Sequence, residues 1–218
     1  AEATLFFRFN HAQKQALYGQ WLWDQVGHIR SADVIVEQFN RAPADDPIDR
    51  MLYADYMTRL PEHSLMLTDR MTMAHGLEAR SPLMDHKLAE FCARLPGELK
   101  VRGRSLRILQ RRIAEQYLPA EVLQRPKQGF ASAMPYMLRD EYPALFRALL
   151  GNSSLVNDGY LRNSRISQIL KAHLSGKEDH ATRLWLLANT EIWYRMAIKN
   201  ESRESRRKMH DDNLRSLR

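Results

Sequence analysis

The residues best placed to do chemistry lie in Arg125-Pro126-Lys127-Gln128-Gly129-Phe130, where one lysine is confined by its neighbours. Pro126 fixes its own φ and drives Arg125 toward an extended backbone, so the preceding helix is predicted to end near Gln124. Gly129 permits a sharp turn two residues past Lys127, and Phe130 can anchor the loop in a core. An ammonium held in this way suits a phosphate or a developing oxyanion, because electrostatic catalysis needs its donor in place before the charge develops. A solvated lysine on a surface loop is the other account of the same residues.

A second group of candidates runs from Leu60 to His86. Glu62 follows Leu60-Pro61 at the start of a predicted helix, where the helix dipole favours a carboxylate whether or not it acts as a base. Asp69 and Arg70 sit farther along that helix and could orient the lysine loop or pair at the surface. Glu78 and Arg80 fall in the connector that follows, and form either a buried ion pair or a partly solvated one worth under about 1 kcal/mol. The eight histidines are scattered, with no His-x₃-His or His-Cys cluster, so no protein-bound zinc or other metal site is expected. Cys92 lies on an apolar helix stripe and reads as a small buried hydrophobe, not a nucleophile.

Taken together, the spaced runs Leu60-Pro61-Glu62, Asp69-Arg70-Met71-Thr72-Met73-Ala74, Leu77-Glu78-Ala79-Arg80-Ser81-Pro82-Leu83-Met84-Asp85 and Arg125-Pro126-Lys127 resemble the synthetase domain of glutamine-dependent asparagine synthetases. In that class-II amidotransferase family the same motifs follow in this order. The resemblance extends from about Pro47 to about Ala197 and ends on Asp179-His180 and Arg183-Leu184-Trp185. It implies a ligase of asparagine biosynthesis that uses ATP and Mg²⁺ to activate an aspartate-like carboxylate as an acyl-adenylate, which ammonia from glutamine converts to the amide. It assigns Lys127 to phosphate and oxyanion charge, and Arg125, Gly129, Asp69, Arg70, Glu78 and Arg80 to support of the ATP site. β-Lactam-forming relatives carry a Tyr-Glu pair near Glu62 that helps deprotonate an amine. Asparagine synthetases commonly have two acids after Leu-Pro, whereas the second position here is His63.

The family's Ser-Gly-Gly-x-Asp-Ser pyrophosphate loop, its acidic Gly-Gly-Tyr motif and its glutamine-hydrolysing N-terminal cysteine do not occur among the 218 residues. The chain is therefore expected to be a C-terminal fragment, inactive alone, with no cofactor bound to it. Its expected partners are the upstream synthetase half, the glutaminase domain of the same protein and small-molecule substrates, with a homo-oligomer left open. The expected fold is all-α, the helical portion of an α/β adenine-nucleotide domain of PP-loop type whose parallel sheet comes from upstream sequence.

Composition agrees with a globular protein, at 44% hydrophobic and 27% charged residues. No apolar run reaches the roughly 18 residues of a membrane span, and no signal peptide opens the chain. A single cysteine excludes an internal disulfide framework and fits a reducing cytoplasm. Of the net charge of +7, seven basic and four acidic residues between Lys199 and Arg218 supply +3, leaving +4 on residues 1–198, which is unremarkable for a soluble domain. Arg102, Arg104, Arg107, Arg111 and Arg112 could form a patch, but no aromatics interleave with them as a base-stacking surface requires, which argues against nucleic acid. A helical interaction module remains the rival from another class, since Leu5-Phe6-Phe7-Phe9 without an initiator methionine reads as a cut end packed on something.

The elements that must position these residues follow from apolar spacing and caps. Asn10 caps a helix from His11 to Tyr18, Gln20 to Val26 adds a turn or two, and Ser31 caps Ala32 to Asn40. Pro47 opens a helix from Ile48 to Leu60 that Pro61 closes. Glu62 to His75 is predicted helical with Leu65, Met66, Met71 and Met73 buried, ending on a left-handed Gly76. Asp85 caps His86 to Leu95, whose stripe is Leu88, Phe91, Cys92 and Leu95. Ser105 is read as the cap of a basic helix reaching Tyr117, and Pro119 opens a short helix to Gln124. Pro135 to Leu138 and Pro143 to Leu150 are short helices, Gly151 to Asn157 a loop, and Leu161 to Leu174 and His180 to Lys199 long helices separated by Gly176. Trp185, Leu186, Ile192 and Trp193 are expected in the core. No strand is predicted; residues 1–199 form one helical domain and 200–218 a charged tail.

Overall fold

The computed structural model describes residues 8–103, 105–126 and 133–202. Helices dominate them, and the only strands among them are Val101–Arg102 and Ser105–Leu106, which pair as a two-residue antiparallel hairpin. This corrects the strand-free expectation in detail while leaving the all-α class intact. The backbone divides into two compact units, one made of Ala1–Arg30 with Gln128–Arg218 and the other of Ser31–Lys127.

The first unit has a continuous apolar core. Leu17, Leu138, Leu150, Ile166, Ile169 and Leu184 are almost fully buried, with Phe146, Leu149, Leu187 and Ala188 completing the cluster. Asn10 caps the His11–Leu17 helix in a reciprocal box with Gln13, as its position before the apolar run predicts. The chain then bonds across to residues far away in sequence: Gly19 N–H donates to the Tyr160 carbonyl, and Arg162 N–H to that of Leu17. Gly19 lies so close to the Gly159 carbonyl that a Cβ there would overlap it. This approach secures the N-terminal helices to the Asn163–Leu174 helix.

Two readings in this unit change. The core face of the Ala181–Trp193 helix is Ala181, Leu184, Leu187, Ala188 and Glu191, while Trp185, Leu186, Ile192 and Trp193 are exposed. Both sets are spaced for a helix face, and the face with smaller residues is the one that reaches the Pro143–Gly151 and Asn163–Leu174 helices. The expected loop after Gly151 also contains a helical turn, Ser154–Asn157, capped by Ser153. Gly176, at φ +72°, separates the last two long helices as predicted.

In the second unit, Ser31–Arg41 packs on Pro47–Met57, with Ile35 and Ala54 buried. Ser31 is the first helical residue and not the cap. Asp46 caps the next helix by accepting from Ile48 N–H at 2.7 Å, and Pro47 follows at a position where its missing N–H costs nothing. Lys100 joins Asp49 in a largely buried salt bridge and donates to the Ala93 carbonyl, tying the Pro47–Met57, His86–Arg94 and Gly97–Lys100 helices together.

Three further expectations are corrected here. Pro61 does not end a helix; it lies inside a π-helical turn, Leu60–Leu65, that runs directly into Met66–Met73. Ser105 is in the hairpin, and the basic helix covers Ile108–Ala114. Leu65, Met66, Met71 and Met73 are exposed, as are Leu88 and Phe91, and so is Cys92. Helical spacing establishes that one face is apolar, but burial needs a facing element, and the described residues of the second unit leave these stripes exposed.

Candidate functional site

Proline chemistry shapes the backbone on which Glu62 sits. Pro61 has no N–H to give to the preceding turn and its ring crowds the carbonyl four residues back. The helix responds by widening, so that Met66 N–H reaches back five residues to the Pro61 carbonyl. Single π turns of this kind are frequent at functional positions because they re-aim side chains within an otherwise regular helix. Glu62 lies in this widened turn and is exposed, and Asp69 and Arg70 are exposed one to two turns farther on.

The Met66–Met73 helix stops where its glycine allows. Gly76 adopts φ +68°, and Leu77 N–H donates to the Thr72 carbonyl while Gly76 N–H donates to Met73, satisfying carbonyls that the helix end leaves open. The connector then carries Glu78 and Arg80, which pair at 2.6 Å with both side chains largely in water. Of the two accounts offered for this pair, the solvated one holds. A 3₁₀ turn, Pro82–Met84, leads to Asp85, whose carboxylate accepts from Lys87 and Leu88 N–H at 3.0 and 3.2 Å and caps the His86–Arg94 helix as predicted.

At the other candidate segment, the Ala120–Gln124 helix ends at Gln124 and Arg125 is extended at φ −61°, ψ 134°, the conformation that a following proline imposes. Arg125 is exposed. Lys127, Gly129 and Phe130 lie outside the described residues, as do Leu5, Phe6 and Phe7 and the tail beyond residue 202. A contribution missed from sequence is that of Arg111, which donates through Nη2 to the Leu123 carbonyl at 2.8 Å. It had been read only as part of a basic patch; instead it ties the Ile108–Ala114 helix to the end of the helix that delivers the lysine loop. The Arg at an exposed helix position twelve residues before an orphan carbonyl gave no local signal of this.

Among the described residues, no three His, Cys, Asp or Glu side chains come together as a metal cage. No helix among them is long and apolar enough to cross a membrane.

These segments follow in order along the chain: an acid after Leu-Pro, an Asp-Arg helix, a capped Glu-x-Arg connector and an extended Arg-Pro exit. The sequence matches the family profile described as asparagine synthase over residues 3–195, and the chain belongs to that family. It is 29% identical over 167 residues to "Asparagine synthetase [glutamine-hydrolyzing] 1" of Bacillus subtilis (strain 168), a match covering 77% of this chain and 26% of the relative. It is 31% identical over 170 residues to "Putative asparagine synthetase [glutamine-hydrolyzing]" of Mycobacterium tuberculosis, with the same coverage. The human asparagine synthetase is 24% identical over 193 residues, covering 74% of this chain and 33% of the relative. The chain thus spans about a quarter to a third of the length of these relatives. No solved structure gives a significant match.

Proposed function

We propose that this chain is the C-terminal portion of a glutamine-dependent, ATP-dependent asparagine synthetase-like amidotransferase, and that it makes no amide without the residues that precede it in such enzymes. The observation that carries the reading is the match to the asparagine synthase family along nearly the whole chain, residues 3–195. The apolar face of the second unit supports it. Leu65, Met71, Phe91, Ile113 and Tyr117 are exposed although their spacing is that of buried stripes, which is what a helical layer looks like when the sheet it covers belongs to another segment. The partner assigned to that face is the upstream synthetase half, with the glutaminase domain beyond it.

In the complete enzyme, a side-chain carboxylate displaces pyrophosphate from ATP to give an acyl-adenylate. Ammonia released from glutamine attacks the acyl carbon, AMP leaves, and the amide forms with loss of a proton. The role assigned to Lys127 is to offset phosphate charge and the oxyanion of the tetrahedral intermediate, for which a compact ammonium suffices. Glu62 is assigned to taking up the proton that the attacking ammonia loses, and Arg125, Gly129, Asp69, Arg70, Glu78 and Arg80 to support of the ATP site. Mg²⁺ enters with ATP, bound through the phosphates. The compartment assigned is the cytoplasm, where ATP and glutamine are available.

The test is ATP-pyrophosphate exchange in protein extended upstream to include a pyrophosphate loop, compared with the 218-residue chain. Activity is expected only in the extended protein. Lys127→Ala there should lower kcat by about 10²- to 10³-fold, equivalent to roughly 3 kcal/mol. Unchanged exchange in that variant would remove Lys127 from the site, and robust exchange by the short chain would overturn the fragment reading.

A further inference from the structure

A cavity of about 460 Å³ opens in the first unit between the Asn163–Leu174 and Ala181–Trp193 helices, within the Gly176 connection and the His11–Leu17 helix. Its walls carry four permanent cations, Arg165, Lys171, Lys177 and Arg183, against one carboxylate, Glu178. Ile169 is buried at the wall and gives it an apolar backing. None of the chemistry assigned to the synthetase motifs uses these side chains.

The cations are differently held, and the difference is informative. Arg183 is fixed: its Nε donates to the Arg8 carbonyl at 2.8 Å and its Nη1 lies 3.1 Å from His180 Nδ1. That contact makes Nδ1 the acceptor and leaves the ring proton on Nε2, which lies 3.0 Å from Glu178. Burial and the adjacent Arg183 both push His180 below its ordinary pKa, so the ring adds no charge near neutral pH. Glu178 is therefore engaged by a neutral imidazole and does not pair with any of the four cations. Lys171 and Lys177 have no acidic partner among the described residues. Arg165 donates through Nη1 to Gln168, but its Nε–H is buried and has no partner.

The helix ends do not supply this charge. The cavity borders the C-terminal end of Asn163–Leu174 and the N-terminal end of Ala181–Trp193, whose dipoles oppose one another, so the side chains set the sign. From the net positive lining and the two lysines without an acidic partner, we infer that this cavity is a binding site for a small polyanion bearing phosphate groups. Arg165 and the fixed Arg183 supply permanent charge at the wall, each with part of its guanidinium already engaged, and Lys171 and Lys177 close over the site as point charges. The volume admits a molecule of pyrophosphate to triphosphate size and excludes most of a duplex.

Calorimetric titration of the 218-residue chain with inorganic pyrophosphate, at ionic strength held constant with NaCl, tests the site, with citrate titrated in parallel. Saturable binding of one pyrophosphate is expected. It should weaken at least tenfold in the Lys171→Ala/Lys177→Ala double variant, whose substitutions are both at exposed positions, and be retained in Lys171→Arg/Lys177→Arg. Arg165→Lys should also weaken it, because the charge is kept and the fork is lost. Absence of saturable binding, equal affinity in the double alanine variant, or loss on Lys127→Ala instead would overturn the assignment. Tighter binding of citrate than of pyrophosphate would overturn the phosphate class.

Discussion

Glu191 is the most deeply buried charge in the first unit, with no exposed surface, and its surroundings explain why it stays ionised. Burial raises its pKa, but the Ser153 hydroxyl at 2.6 Å, the Ser154 N–H at 2.7 Å, Arg195 and the Leu155 N–H together outweigh that, so the carboxyl lies below its ordinary value. The same carboxylate holds the first turn of Ser154–Asn157 and pairs with an arginine that bonds the Asn152 carbonyl. Because the folded pKa is depressed, the stabilisation is present above the unfolded carboxylate pKa and is lost as pH falls through the folded one. Asp158, held low by Lys199 and Tyr194, adds to the same acid dependence. We expect Glu191→Gln to destabilise the protein by about 3–5 kcal/mol at neutral pH, leaving Arg195 buried without its counter-charge, and to flatten the loss of Tm below about pH 4.5. Gly97 gives a second residue-scale case. A Cβ there would come within 2.3 Å of Asp46 Oδ2, and Asp46 cannot swing aside without dropping its cap on Ile48. Gly97→Ala should therefore cost about 1–3 kcal/mol in urea denaturation, although glycine-to-alanine changes elsewhere often stabilise.

At the scale of elements, the π turn at Leu60–Leu65 carries Glu62, the residue proposed as a base. The proline is legible as a break in the α-helical pattern, but its outcome is not: a helix confronted with an interior proline can stop, kink or widen, and here it widens. Pro61→Ala restores the N–H and should let the segment relax toward regular α-helix, turning Glu62 relative to Met66–Met73 by up to about 100°. In the upstream-extended enzyme the expected result is a fall in kcat/KM with little change in Tm; unchanged kinetics would show that the direction of Glu62 is immaterial. The end of the Ala120–Gln124 helix is more fully legible in the sequence. Pro126 alone dictates an extended Arg125, because the constraint is steric and acts on the adjacent residue. The Arg111 tether that steadies this end spans twelve residues, and no local rule reports it.

At the scale of the molecule, the two units differ in how far they bury their own apolar residues. The first has a closed core of helices, whereas the second exposes Met71, Leu83, Phe91, Ile113 and Tyr117. An apolar area of this extent ordinarily marks an interface. The 218-residue chain should accordingly bind a hydrophobic dye such as ANS, and co-expression with the upstream synthetase half should suppress that signal. Dye binding undiminished by the upstream half would argue for another occupant and favour a helical interaction module.

The sequence by itself determined the helical class, the caps at Asn10 and Asp85, the left-handed Gly76, the break at Gly176, the extended Arg125 and the family, since each rests on a local steric rule or on residue order along the chain. Tertiary structure alone decided which faces are buried. Trp185 and Trp193 on one face and Leu184 and Leu187 on another are equally apolar in sequence, and only the position of the Pro143–Gly151 and Asn163–Leu174 helices selects between them. It alone also assembled Ser153, Glu191 and Arg195, and the cations around the first unit's cavity, from residues 4 to 42 positions apart. Burial and charge clustering depend on distances between segments, which no spacing rule within one segment contains.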